Sequence, residues 1–290
     1  MPVPYSCLPC YLNQTLSLIE RKVSDDAKAR QLLHAALDAL KDFDNPEISG
    51  VPELAGKLYK ALSDALDDPD PFAAEKQQAN NMMQAILPDL RTSLEESPDR
   101  FAAAVSFAVA GNIIDFGALP DLQVPEAIDM VKQASKAPIA INHTQELRQN
   151  IAEAGSILYI GDNTGEILAD RLLLEQLPLE KTTFVVRGAA VLNDITIEDA
   201  AFAGIDGMCK VITTGSAVPG ISFSGASEEF LQAFDSADVV IAKGQGNYES
   251  IYPVTKREVF FLMKVKCDVI ARHIGAATGD HIVYQFKGNS

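Results

Sequence analysis

Residues 157–178 read ILYIGDNTGEILADRLLLEQLP. The apolar run from Ile157 to Ile160 stops at a polar turn, Gly161 to Glu166, which packs two acids, an amide and two glycines into six positions. Helical spacing of apolar residues resumes in EILADRLL. A short apolar run bounded by turn residues reads as a buried strand, and the helical segment after the turn is long enough to be a crossover.

The same texture repeats toward the C-terminus. Strands are expected at Ile157–Ile160, Thr183–Val186, Cys209–Thr213, Val239–Ala242 and Val265–Ala271, with TIEDAAFAG and SEEFLQAFDSA as further helical crossovers. Apolar strands alternating with helices predict a mostly parallel sheet covered on both faces, an α/β class. Toward the N-terminus the pattern is helical: QTLSLIERKVSDDAKARQLLHAALDALKDF, broken or capped at Ser24-Asp25-Asp26, then VPELAGKLYKALSDALDD, DPFAAEKQQANNMMQAILPDLRTSLEES and the nearly all-apolar DRFAAAVSFAVAGNIIDFG. No strand is expected among these. The chain therefore divides into a helical region, residues 1–150, and an α/β region, residues 151–290.

Composition narrows the partners. The 290 residues hold 40 acids against 24 Lys and Arg, a formal charge of −16, with no basic block, so nucleic acid and anionic membrane surfaces are disfavoured. There is neither a long apolar run nor a secretory start, and a cytoplasmic protein is expected. Four cysteines in a chain of this length do not make a disulfide scaffold. Cys7 and Cys10 form one CxxC, open to reading as a half-buried thiol pair, a redox pair or part of a metal site.

In open α/β sheets, ligands gather beyond the C-terminal strand ends. Those ends carry Asp162 and Asn163, then Arg187 leading to Asn193 and Asp194, then Lys243 in AKGQGNYES. Two carboxylates and an amide oxygen form a hard oxygen set suited to Mg²⁺ or Mn²⁺. Gly165, with Glu166 opening the next helix, lets an anion approach backbone N–H groups, and Arg187, Lys243, Gly244 and Gly246 add charge and backbone access for a phosphate. The bland alternatives are an Asx turn at Asp162-Asn163 and a solvated loop lysine at 243; Thr196 and Asp199 read as a capping box. Asn112 and Asp115 sit three apart in an apolar helix, either bonded to backbone or facing a cleft. The histidines are scattered, and neither a serine-hydrolase elbow nor a P-loop occurs.

In order, GDNTGE, RGAAVLNDITIEDA, AKGQGNYES and FLMKVKCDVIA resemble the domain-of-unknown-function 89 family, the metal-dependent damage-control phosphatases; CLPC, DPFAAEK and AGNIIDFG extend the resemblance over nearly the whole chain, toward the shorter prokaryotic CxxC branch. The resemblance implies a helical N-terminal region beside a Rossmann-like three-layer α/β/α domain. It implies a divalent ion (Mn, Co, Ni or Mg) on Asp162, Asn163 and Asp194, with Lys243 and Asp115 as catalytic residues. Asn112, Gly165, Glu166, Arg187, Gly244 and Asn247 would bind a small phosphorylated metabolite, such as a sugar phosphate or a phosphopantetheine-like or damaged phosphometabolite. Two rivals are an S-adenosylmethionine-dependent carboxyl methyltransferase and a non-catalytic metal-binding protein. The oligomeric state is not legible.

Overall fold

The computed structural model describes residues 3–111 and 123–289. Asn112 and Asp115 lie outside the described residues. Among the described residues six α-helices come first: α1 (Leu8–Lys22), α2 (Asp26–Leu40), α3 (Val51–Leu66), α4 (Ala73–Glu95), α5 (Arg100–Ala110) and α6 (Val124–Ser135). After them come β1 (Ile139–Asn142), α7 (Thr144–Glu153), β2 (Ile157–Ile160), α8 (Glu166–Leu174), β3 (Thr182–Val186), α9 (Ile197–Phe202), β4 (Lys210–Thr213), α10 (Glu228–Ser236), β5 (Val239–Lys243), α11 (Gly244–Ile251), β6 (Val259–Lys264), α12 (Asp268–Ile274) and β7 (His281–Phe286). The polar step before α2 both breaks and caps: the Asp25 side chain accepts from Lys28 N. No helix among the described residues is long and apolar enough to cross a membrane.

Among the described residues seven strands form one sheet in the order β1-β7-β6-β5-β2-β3-β4, in which only β6 and β7 pair antiparallel. From β2 the chain winds through β3 to β4 on one side, while β5 and β6 lie on the other. The order therefore reverses between β2 and β5, the crevice where such sheets place ligands.

Side chains of β2 alternate between two cores. Ile157 and Tyr159 enter one with α4, α5, α6 and α8, whereas Leu158 and Ile160 enter the other with α10, α11 and α12. A separate apolar cluster joins α1, α2 and α3. Helices α4 to α6 thus form one outer layer of the sheet itself.

The structure corrects three expectations. The strand expected at Val265–Ala271 is instead VFFLMK, β6, all but its last residue buried; Asp268 opens α12, whose Ile270 and Ala271 bury one helical stripe. Strands β1 and β7 were not expected at all. β1 interrupts the helical half, so the sheet reaches back to Ile139, before residue 150. It is four residues long with a half-buried, half-exposed alternation, a weak signal in a helix-rich stretch.

Candidate active site

Register places the site. Ile160 stands opposite both Val185 and Ala242, so continuing each strand by two residues brings Asp162, Arg187 and Gly244 to one level. Gly161 keeps the end of β2 in the ladder, its N–H donating to Val185 O at 3.0 Å, and any Cβ there would collide with Ile195 and Phe184. Asp162 and Asn163 are then stitched to the segment carrying Asp194. Ile195 N donates to Asp162 O and Thr164 N to Asn193 O, both at 2.9 Å, and Asn163 and Asp194 form an isolated antiparallel bridge. Leu192, at φ +48°, turns the chain left-handed just before that bridge, a conformation rare outside glycine.

Two clusters of charge flank this stitch. On the β3 side the Arg187 guanidinium is buried; Nε donates to Asp194 Oδ2 at 2.6 Å, Nη2 reaches Asp162 Oδ1 at 3.4 Å, and Nη1 has no partner. Burial pushes the Asp194 carboxyl up to about 7 against the pull of Arg187, with Asp162 adding to the rise. On the β5 side Lys243 is fully buried and bonds Ala108 O at 2.7 Å together with the carboxylates of Glu166 and Asp170. Burial alone would lower this ammonium, but Asp170 and Glu166 outweigh it and hold Lys243 above the ordinary lysine range. Tyr159 donates to the same Asp170 oxygen at 2.8 Å. Burial lifts Glu166 to about 7; Lys243 opposes the rise, and Asp170 and Asp162 reinforce it.

Glycine is required where α11 meets Asp162. A Cβ on Gly244, which has φ +75°, would stand 1.9 Å from Asp162 Oδ2. Asn247, one turn on, anchors the junction by donating to Gly161 O at 3.0 Å and Lys243 O at 2.6 Å, while its buried Oδ1 has no partner.

The expected residues Asp162, Asn163, Gly165, Glu166, Arg187, Asp194, Lys243, Gly244 and Asn247 thus converge on one sheet edge. Their individual circumstances differ from the sequence picture. Gly165 N does not face an open anion site, because it donates to Asn80 Oδ1 at 2.7 Å. The three donor hydrogens of Lys243 have three acceptors already. Asp199 closes the capping box with Thr196 and also accepts from Asn80 Nδ2 at 2.7 Å.

Asn80, Lys76, Tyr159 and Asp170 escaped sequence reading. The signal for the first two was present: the buried stripe of α4 runs Lys76, Asn80, Met83, Ile86, Leu90, Leu94, an apolar face that opens with two polar residues. Cys7 and Cys10 are free thiols, half-buried and exposed. Burial, then Glu249 and the neighbouring Cys267 and Cys10, push Cys7 up to about 11.

Among the described residues no three His, Cys, Asp or Glu side chains gather as a cation site. The expected set has two acids and an amide, and its surroundings suit a cation nonetheless. Asp162, Glu166, Asp170 and Asp194 are four buried acids facing two buried bases, Arg187 and Lys243, an excess of two formal negative charges. Asn163 Nδ2 donates to Asp162 Oδ2 at 2.8 Å, which leaves its amide oxygen as the end a cation would use.

Beside Arg187 opens a cleft of about 430 Å³, walled by α4 residues Lys76, Gln77 and Asn80, by Asp70, by Gly188 to Ala190 and by Thr196 to Asp199.

The family model described as damage-control phosphatase ARMT1-like domain matches residues 3–282. The chain is 33% identical over 286 residues to a damage-control phosphatase from Pyrococcus horikoshii, covering 96% of each. It is 30% identical over 287 residues to a damage-control phosphatase from Archaeoglobus fulgidus, covering 97% of this chain and 98% of the relative. A crystal structure of a DUF89 family protein from Pyrococcus horikoshii is similar at TM-score 0.89 and 30% identity, covering 98% of this chain and 99% of that one.

Proposed function

The chain belongs to the damage-control phosphatase ARMT1-like family, and from that premise we propose that it is a metal-dependent phosphatase hydrolysing the phosphomonoester of a small metabolite. Asp162, Asn163 and Asp194 are the residues that would hold the divalent ion. A bound Mn²⁺, Co²⁺, Ni²⁺ or Mg²⁺ supplies Lewis acidity toward phosphoryl oxygens and lowers the pKa of a coordinated water. The observation that carries this reading is the stitched Asp162-Asn163/Asp194 pair, two buried acids on one buried base, at the sheet's reversal point.

The chain's own residues divide the remaining work. Arg187 orients Asp194 through Nε and offers the unpartnered Nη1 to a phosphoryl oxygen. Lys243 acts at one remove: it fixes Glu166 and Asp170 and ties β5 to the end of α5. Gly244 leaves room for the Asp162 carboxylate at the start of α11, and Asn247 anchors the backbone just before Asp162 through Gly161 O. The buried setting strengthens each of these charge interactions relative to water. A nucleotide-type methyltransferase site would want an acid for the ribose at the second strand end, where this chain has Arg187.

The test is phosphate release from sugar phosphates, nucleotides and phosphopantetheine derivatives with each cation against EDTA, for wild type and Asp162→Ala. Metal-dependent release that the substitution abolishes is the expected result. Folded wild type that releases nothing with any ion would overturn the proposal.

A further inference from the structure

The Arg187 cleft contains a second built feature. Lys76 lines it with its side chain only 7% exposed, and Nζ donates to Asp70 Oδ2 at 2.9 Å. The Asp70 carboxylate also accepts Phe72 N at 3.3 Å, so the loop before α4 fixes its orientation. A lysine so placed at the head of an otherwise apolar stripe loses solvation and rotamer freedom. Asn80, one turn along the same face, binds Gly165 N and so fixes this wall directly against the turn that carries Asn163. Arg187 also lines the cleft, and its buried Nη1 has no partner.

The chemistry of this wall selects a class of group. One of the three ammonium donors is committed to Asp70, and the carboxylate retains lone pairs beyond the two bonds it accepts. A donor and an acceptor thus stand side by side. A hydroxyl, which both donates and accepts, satisfies both, whereas an alkyl group would leave both unsolvated. A second anion is disfavoured, because Lys76 is already neutralised by Asp70, and Glu198 and Asp199 line the same cleft.

Resting on the phosphatase reading above, we propose that the Asp70–Lys76 pair is a specificity subsite that reads a hydroxyl-bearing carbon of the substrate body, while Arg187 takes the phosphoryl end. The cleft, at about 430 Å³, matches a small metabolite.

The experiment compares glycerol 1-phosphate with n-propyl phosphate, by kcat/KM and by calorimetric Kd, in wild type, Lys76→Met, Asp70→Asn and Lys76→Arg, with folding checked by melting temperature. Wild type is expected to favour the hydroxylated ester by about tenfold or more, since a charged group's bond to a buried hydroxyl carries that much discrimination. Lys76→Met and Asp70→Asn reduce that ratio below about threefold, chiefly through KM, and Lys76→Arg retains most of it. Absence of preference in wild type, or an equal loss on both esters in the variants, overturns the subsite. If wild type hydrolyses neither ester yet binds the hydroxylated one preferentially, and Lys76→Met erases that preference, the subsite stands, and the phosphatase reading fails only if the wider panel of esters also releases no phosphate.

Discussion

The strands flanking β2 each deliver one buried cation, and the two regions they create are unlike. On the β5 side, Lys243 is enclosed by Glu166, Asp170, the Ala108 carbonyl and Tyr159, with every ammonium donor occupied. On the β3 side, Arg187 spans Asp162 and Asp194 but keeps Nη1 without a partner and borders an open cleft. Both regions place two acids on one base. The difference lies in occupancy: in the closed region every donor of the base is bonded, while in the open region Arg187 keeps one nitrogen without a partner and lines a cleft.

Breaking the closed region is expected to have the largest effect. Lys243→Met leaves Glu166 and Asp170 as unpaired buried acids, a cost of about 3–5 kcal/mol. Thermal or denaturant unfolding should show it, and added Mn²⁺ should not restore the loss. Arg187→Met should behave oppositely. Its activity is expected to fall about 10²-fold with metal present, and its lost stability should be largely recovered by Mn²⁺, read as melting temperature with and without the cation. Equal rescue of both variants would erase the distinction between the regions.

A smaller effect comes from pH. Burial raises Asp194 to about 7 in the folded state, whereas in the unfolded chain an aspartate titrates near about 4. Between those values the folded protein holds a proton that the unfolded chain has released, so this group's contribution to stability falls as pH rises from about 4 to about 7. A cation must displace that proton, so the Mn²⁺-induced rise in melting temperature should grow from pH 5.5 toward pH 8. Asp194→Asn should flatten that growth, along with weakening the binding itself. The smallest expected change is in Asn80→Ala, which removes the acceptor for Gly165 N and the donor to Asp199 for about 1–3 kcal/mol, measurable by urea unfolding.

The open region was largely legible in the sequence because its residues sit at strand ends, where chain direction and side-chain type carry the signal. Asp162, Asn163 and Asp194 needed only the strand-turn pattern and the VLND segment to be placed together. What Lys243 does was not legible. The same lysine at a strand end serves a ligand or a buried ion pair, and only the packing of α5 and α8 against β5 decides which. Asn80 lies 119 residues from its Asp199 partner, beyond any local pattern, although its place in the apolar stripe of α4 marked it as buried. In the sheet, β2 through β5 were readable as apolar runs between helices. β1 and β7 were not: β1 is a four-residue strand at the end of the sheet that pairs with β7, and β7 pairs antiparallel with β6, outside the parallel pattern of the other strands.

The most direct test is calorimetric titration of Mn²⁺ into wild type, Asp162→Ala and Asp170→Asn. The open-region account predicts one ion per chain in wild type, no binding in Asp162→Ala and retained binding in Asp170→Asn. Binding that survives Asp162→Ala, or that is lost only in Asp170→Asn, would place the ion in the closed region and contradict the account.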